Sequence, residues 1–406
     1  MPGPLSSVTV LEFAGIGPGP FAAMVLADMG ARVIRIDRAP AAKASVSTEA
    51  WQALLDNDGV VDRGRESVAL NLKDPRAVEV VLRLVARADV LIEGYRPGVL
   101  EKLGLGPSTC LARNPKLVYG RMTGWGQSGP LAQAAGHDIN YVALSGALAA
   151  IGPRDQPVPP LNLVGDYGGG GMLLVAGVLG ALLHARQAGV GQVVDAAMSD
   201  GAALLMAAQY GFWAKGLWRL ERSSNFIDGG AHFYGVYPCA DGRHVAIGAI
   251  EPSFYKRLLQ LCGVDDPLFE RQWEAGLWPV LRERLAAVFL QRTQADWCQL
   301  LEGSDACFAP VLDLSEAAAH PHNQARATVV CVDGVWQPAP APRFDKTPTQ
   351  VPAKAPLAGA HTPAVLAEAG LDPDAVQVLL SAGVAYQSPP VPVEFRPLSN
   401  PTERSS

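Results

Sequence analysis

From residue 8 to residue 122 the chain alternates short β-branched runs with segments of helical character, and this pattern restricts the fold more than any other feature. The run 8–13 is followed by a helical stretch at 21–29 and a second apolar run at 33–37. A helix over 75–87 then feeds a strand at 90–93, and a helix near 107–114 feeds a strand at 117–122. A further strand is expected at 192–198, after a long apolar segment. Parallel strands need crossovers long enough to hold a helix, so this order predicts a parallel sheet covered by helices. The fold class is α/β.

The period changes near residue 225. Two β-rich runs, 233–239 and 244–250, flank Ala240-Asp241-Gly242-Arg243, whose Asp-Gly pair suits a hairpin turn. Helical segments follow at 280–290 and 297–301, the second preceded by Thr293 and Asp296 at capping-box spacing. The domains expected are a large α/β domain over 1–224, a smaller α+β domain over 225–315, and a C-terminal segment over 316–387. The last stretch, 388–406, mixes proline with polar residues without periodicity and reads as a mobile tail.

At 406 residues, two domains with sizeable cores are affordable. A formal net charge of −6 lacks the concentrated basic footprint that a nucleic-acid partner requires. The six cysteines form no close pair, so neither a zinc site nor a disulfide framework is written here, and no metal is expected. The N-terminus has no signal-like n-region and the last residues, Arg404-Ser405-Ser406, are not a Ser-Lys-Leu ending, so a cytoplasmic setting is expected. The longest uncharged apolar run, 168–183, falls short of a bilayer span and reads as a buried helix, so no membrane partner is expected.

Candidate sites each have an ordinary explanation beside the functional one. Gly15-Ile16-Gly17-Pro18-Gly19-Pro20 imitates a dinucleotide fingerprint, but Pro20 stands where a small residue must let helix and strand pack, and suits the first position of a helix instead. His137, within Gly136-His137-Asp138-Ile139-Asn140-Tyr141, is either a satisfied core histidine or a proton carrier, the residue type whose proton moves most easily near neutral pH. Asp166, before four glycines and an apolar helix, is a helix cap or a functional carboxylate beside free N–H groups that suit an oxyanion. Among the bases Arg38, Arg63, Arg65, Lys73, Arg96 and Lys102, two stand out. Arg38 and Arg96 follow predicted parallel strands, at the sheet edge where ligands bind. Glu251 closes a hairpin strand, and an exposed glutamate is its default.

These residues sit in segments that resemble the class III CoA-transferase family and, within it, the α-methylacyl-CoA racemases. The resemblance covers about residues 5 to 345. It runs through GIGPGPFAAMVLADMGARVIRIDR, ADVLIEGYRPGVLEKLGLGP, RMTGWGQSGP, AGHDINYVALSG, PLNLVGDYGGGGM, DGGAHFY, ADGRHVAIGAIEP and SDACFAPVL. It implies an interlocked homodimer whose large Rossmann-like domain is completed by the C-terminal segment, and an acyl-CoA substrate. Coenzyme A enters as part of that substrate and no separate cofactor is implied.

By the same resemblance, Arg38, Leu70, Asn71, Leu72, Lys73, Gly94, Tyr95, Arg96, Lys102, Gly136, Asp138, Ile139, Asn140 and Tyr141 contact coenzyme A, and Glu251 reaches His137 across the dimer interface. His137 and Asp166 are the opposed bases of a 1,1-proton transfer that inverts the carbon beside the thioester of a 2-methylacyl-CoA. The rival within the family is a CoA-transferase, in which a carboxylate at the position of Asp166 attacks the thioester and forms a mixed anhydride. The histidine distinguishes the two, because transferases of the family generally lack it.

Overall fold

Six parallel strands make the core of the first half: β1 (Thr9–Phe13), β2 (Arg32–Arg38), β3 (Arg65–Leu70), β4 (Val90–Glu93), β5 (Val118–Thr123) and β6 (Gln192–Ala197). The short strand Ala385–Tyr386 adds antiparallel to β3 and gives a seven-stranded sheet. Its order is Ala385–Tyr386, β3, β2, β1, β4, β5, β6, so the chain winds outward in both directions from between β1 and β4. In such sheets that reversal point, at the carboxyl ends of the strands, is where ligands bind. The computed structural model describes residues 3–39 and 59–389; the tail expected at 388–406 lies, from residue 390, outside them.

Alternate residues of each strand feed the two faces of the sheet. Leu11, Ile34, Ile36 and Leu91 pack with helix Pro75–Val85 and the C-terminal helices, while Val10, Val33, Ile92 and Val118 pack on the other face. That second face is covered by α1 (Pro18–Asp28) and by the helix Leu173–Ala188. α1 begins at Pro18, three residues before the predicted start. Gly17 turns the chain with φ +71°, and Pro18, rather than Pro20, takes a first-turn place where its missing N–H costs nothing. β3 is a strand the alternation missed, because it opens on Arg65 and Glu66. Arg65 is nonetheless fully buried, its guanidinium 3.0 Å from the equally buried Glu12.

The apolar run after Asp166 is longer than expected. A π-helix, Leu163–Met172, leads directly into Leu173–Ala188, and together they make 26 residues, long and apolar enough to cross a membrane by length and composition. Half of the most apolar window is buried inside the protein. The four glycines therefore lie within a helix rather than starting one. A Cβ on Gly201 would stand 1.8 Å from the Gly169 carbonyl oxygen, so the helix Met198–Leu205 and the π-helix touch backbone to backbone.

The described chain divides into two units. The first takes residues up to Ser145, Leu161–Leu205 and those from Pro321 onward; the second takes Gly146–Pro160 and Met206–His320. The boundary thus differs from the one expected at 224/225, since 146–160 and 206–224 group with the second unit. Arg222 is the reason: its guanidinium donates to the carbonyls of Ala149, Pro153 and Arg154, and Glu221 pairs with Arg154. The expected hairpin is present as β7 (Tyr234–Pro238) and β8 (His244–Gly248), extended by β9 (Phe308–Pro310). Helices Pro252–Cys262, Trp278–Phe289 and Gln294–Leu301 bury Tyr255, Leu258, Leu281, Phe289 and Trp297 against it. Thr293 caps the last of them in the capping box read from the sequence.

Candidate active site

A cavity of about 1030 Å³ opens in the first unit, lined by the ends of β1, β4 and β5 at Phe13, Ile92 and Met122. It occupies the reversal point of the strand order. Its volume is at the upper end of small-molecule sites, as a large ligand requires. The β1–α1 turn, Gly15 to Pro20, forms one wall. The segment dismissed as a failed dinucleotide fingerprint is thus part of the site: a Cβ on Gly17 would meet the Asp166 carboxylate at 3.1 Å.

His137 and Asp166, 29 residues apart in sequence, both line this cavity. His137 is exposed and caps helix Asp138–Leu144 from an extended conformation, φ −131°, its N–H donating to Asn140 Oδ1 at 3.0 Å. Helix Asp138–Leu144 is held by Val142 in the core and by Tyr141, whose ring meets Trp125 edge-on at 4.7 Å and whose hydroxyl donates to the Gly136 carbonyl.

Asp166 is half-buried inside the π-helix, where Tyr167 stacks on Phe21 at 4.2 Å and the Tyr167 N–H donates to the Asn162 carbonyl, five residues back. Burial pushes the Asp166 carboxyl up to about 6, and the Asp138 carboxylate adds to that. A hydrogen bond from the Asn162 side chain and the neighbouring His137 pull the other way. Asn162, just ahead of the π-helix, was quoted in the sequence only as part of the Asp166 segment, with no role of its own.

One expectation about Asp166 fails. The π-helix starts at Leu163, ahead of the glycines, and the backbone N–H of Asp166 donates to Asp138 Oδ1 at 2.7 Å. That N–H is already engaged, and the glycines lie inside the helix, so they do not supply a free-ended oxyanion cradle.

Of the residues expected to touch coenzyme A, the cavity wall includes Arg38, Gly94, Tyr95, Arg96, Gly136 and Tyr141. Arg38 and Arg96 are exposed, at the ends of β2 and just beyond β4, as the strand reading placed them. Leu70, Asn71, Leu72, Lys73, Lys102, Asp138, Ile139 and Asn140 do not line it. Leu70 is 1% exposed and its side chain belongs to the sheet core, while Asn71, Lys73 and Lys102 are exposed. Arg63 and Arg65 are structural: Arg63 is buried on Asp28 at 2.5 Å and Arg65 on Glu12. Glu251 is exposed ahead of helix Pro252–Cys262 in the second unit. Among the described residues no cluster of His, Cys, Asp and Glu is arranged to hold a metal.

A family profile described as CoA-transferase family III matches residues 5–362. The chain is 44% identical over 381 residues to the α-methylacyl-CoA racemase of Mus musculus, a match covering 93% of this chain and 96% of the mouse protein. It is 29% identical over 404 residues to the succinyl-CoA:glutarate CoA-transferase of Mus musculus, covering 95% and 91%. Among solved structures, Rv3272 of Mycobacterium tuberculosis matches with a TM-score of 0.74 at 28% identity, over 89% of this chain and 99% of that one.

Proposed function

Because the chain belongs to CoA-transferase family III, we propose that it inverts the α-carbon of 2-methylacyl-CoA thioesters, moving one proton between His137, Asp166 and that carbon. The observation that carries this reading is that His137 and Asp166 line one cavity. A transferase needs the carboxylate alone; a two-base racemase needs both groups. Similarity to the mouse racemase at 44% identity supports the same choice.

In one direction the Asp166 carboxylate takes the α-proton as the C–H bond breaks, the electrons move into the thioester as an enolate, and His137 returns a proton to the opposite face. In the other direction the roles exchange. The pair therefore works with one shared proton: ionised Asp166 with protonated His137, or protonated Asp166 with neutral His137. An ordinary carboxyl, near 3.9, holds a proton too weakly to serve as an acid near neutral pH. Burial lifts Asp166 to about 6, which suits it to act as base in one direction and acid in the other. Arg38 and Arg96 supply charge for the phosphates of coenzyme A, and the strand ends with Met122 and Tyr167 supply apolar surface for the acyl group.

We also infer an interlocked homodimer in which Glu251 of one copy serves the cavity of the other. Leu183, Val193, Leu204 and Leu205 of the first unit are large apolar side chains left exposed, which supports a second copy covering them. Co-expressed Glu251→Ala and His137→Ala chains are expected to recover part of the activity each lacks alone. Mixed dimers then hold one intact site; no recovery means that Glu251 does not act across subunits.

The reaction itself is tested by incubating a single enantiomer of a 2-methylacyl-CoA in heavy water. Deuterium entering the α-carbon with loss of optical purity is expected. Transfer of CoA to an added free acid without exchange overturns the proposal in favour of the transferase, and neither outcome leaves a binding protein.

A further inference from the structure

Asp138 does not line the cavity, yet it is the residue that joins its two proton groups. It follows His137 directly, as the first residue of helix Asp138–Leu144, and its Oδ1 accepts the backbone N–H of Asp166 at 2.7 Å across 28 residues of chain. The first turn of a helix is a favourable place for a carboxylate, and Asp138 occupies it. The opposite side of the contact is shaped to receive it: a Cβ on Gly165 would stand 2.3 Å from Asp138 Oδ1. Any side chain at 165 closes the gap that the carboxylate fills.

We propose that Asp138 is a positioning residue for Asp166: by accepting the Asp166 backbone N–H it fixes the π-helix against the His137 helix. The inference rests on the two-base reading above and assigns Asp138 a part in it distinct from contact with coenzyme A. That bond sets the spacing of the two proton groups, and the nearby Asp138 carboxylate adds to the upward shift of Asp166.

Among the described residues, no other titratable side chain takes this place beside Asp166. The charged side chains acting on Asp166 are Asp138 and His137, with Tyr141 feeling it in return. The remaining elements packed on the π-helix carry few alternatives. In α1 the only titratable group, Asp28, is paired with Arg63, and in Met198–Leu205 it is the exposed Asp200. In Leu173–Ala188 the titratable groups, His184 and Arg186, lie in the last five residues. On β5, Arg121 is paired with Glu93 and Glu101 and Tyr119 donates to the Leu105 carbonyl; on β6, Asp195 accepts the Gln127 N–H.

Three variants separate the two parts of the role. Asp138→Asn keeps an oxygen acceptor and loses the charge. It should keep more of kcat than Asp138→Ala, and the acid limb of its rate profile should move from about 6 toward the ordinary carboxylate range. Asp138→Ala loses both and should fall in kcat by on the order of 10-fold to 100-fold with little change in KM. Gly165→Ala, which leaves Asp138 in place but displaces it, should behave like Asp138→Ala. A rise in KM with kcat and acid limb unmoved in all three would overturn the proposal and return Asp138 to a role in binding.

The inference can also fail separately from the reaction. Labelling of Asp166 by a water-soluble carbodiimide, followed by peptide mass spectrometry across pH, reads its protonation with no turnover. A midpoint that falls in Asp138→Asn supports the proposal even in a protein that does not racemise, and an unchanged midpoint counts against it even in one that does.

Discussion

His137 stands exposed at the head of a seven-residue helix, whereas Asp166 is half-buried in a π-helix whose glycines touch α1 and the helix Met198–Leu205. The first wall is local and open: a short helix, a cap bond to Asn140, and a tyrosine anchor. The second is non-local and close-packed, and its carboxyl is lifted to about 6 by the burial that the packing creates. The difference teaches that the proton affinity of the carboxyl is made by its packing, whereas the histidine is left in reach of water. An acid raised toward neutrality needs a rigid, desolvated wall.

The largest effect that tests this contrast is Asp166→Ala, expected to reduce racemisation by about 10⁴-fold, the upper end for one acid–base group. Added formate should restore less of the rate than imidazole restores to His137→Ala, because the Asp166 side is half-buried. Equal rescue by formate would show the Asp166 wall to be as open as the other.

His137→Ala should cost less, about 10³-fold, since water can enter an exposed position. Imidazole in the assay should recover part of the rate. In this variant the enantiomer whose α-proton faces Asp166 should still exchange with deuterium while keeping its configuration. Exchange lost for both enantiomers would break the assignment of one base to each face.

A smaller effect probes the packing. Gly201→Ala, with its Cβ forced to 1.8 Å from the Gly169 oxygen, should destabilise the fold by about 3 kcal/mol in urea titration. Gly180→Ala, in the helix Leu173–Ala188, meets nothing within 4 Å and should instead stabilise by about 0.5–1 kcal/mol. Equal behaviour of the two variants would remove the close-packed wall from the comparison.

The smallest effect is on stability against pH. A carboxyl whose proton is held more tightly when folded contributes stability that is present below the unfolded value, near 3.9, and is lost as pH rises through about 6. Asp166→Asn, which cannot ionise, should therefore melt slightly higher than the parent at pH 8 and level with it at pH 3. A parent that melts higher at pH 8 would reverse the sign and with it the burial argument.

Much of this was legible in the chain. The alternation of strands and helices announced a parallel sheet, the Asp-Gly hairpin and the Thr293 cap marked the second unit, and Arg38 and Arg96 were placed at strand ends by simple position. The losses have physical causes. β3 was hidden because Arg65 and Glu66 look exposed until Glu12, 53 residues away, neutralises Arg65 inside the sheet. Leu70 looked like a ligand contact by resemblance, but alternation along β3 turns its side chain into the core. The start of α1 shifted because either Pro18 or Pro20 satisfies the rule for a first turn, and the turn at Gly17 selects the earlier one.

The sequence by itself determined the α/β class, most of the strand and helix alternation and the chemical types available for proton transfer, because these follow from local periodicity and side-chain chemistry. The resemblance of its motifs pointed to the partners His137 and Asp166. Only the tertiary structure decided that these two share a cavity at the reversal point of the sheet, that the Gly15 to Pro20 turn walls it, and that Asp138 turns from the cavity to the Asp166 backbone. Each of those is a contact between residues far apart in the chain, and a local pattern carries no information about which distant backbone will stand 2.7 Å away.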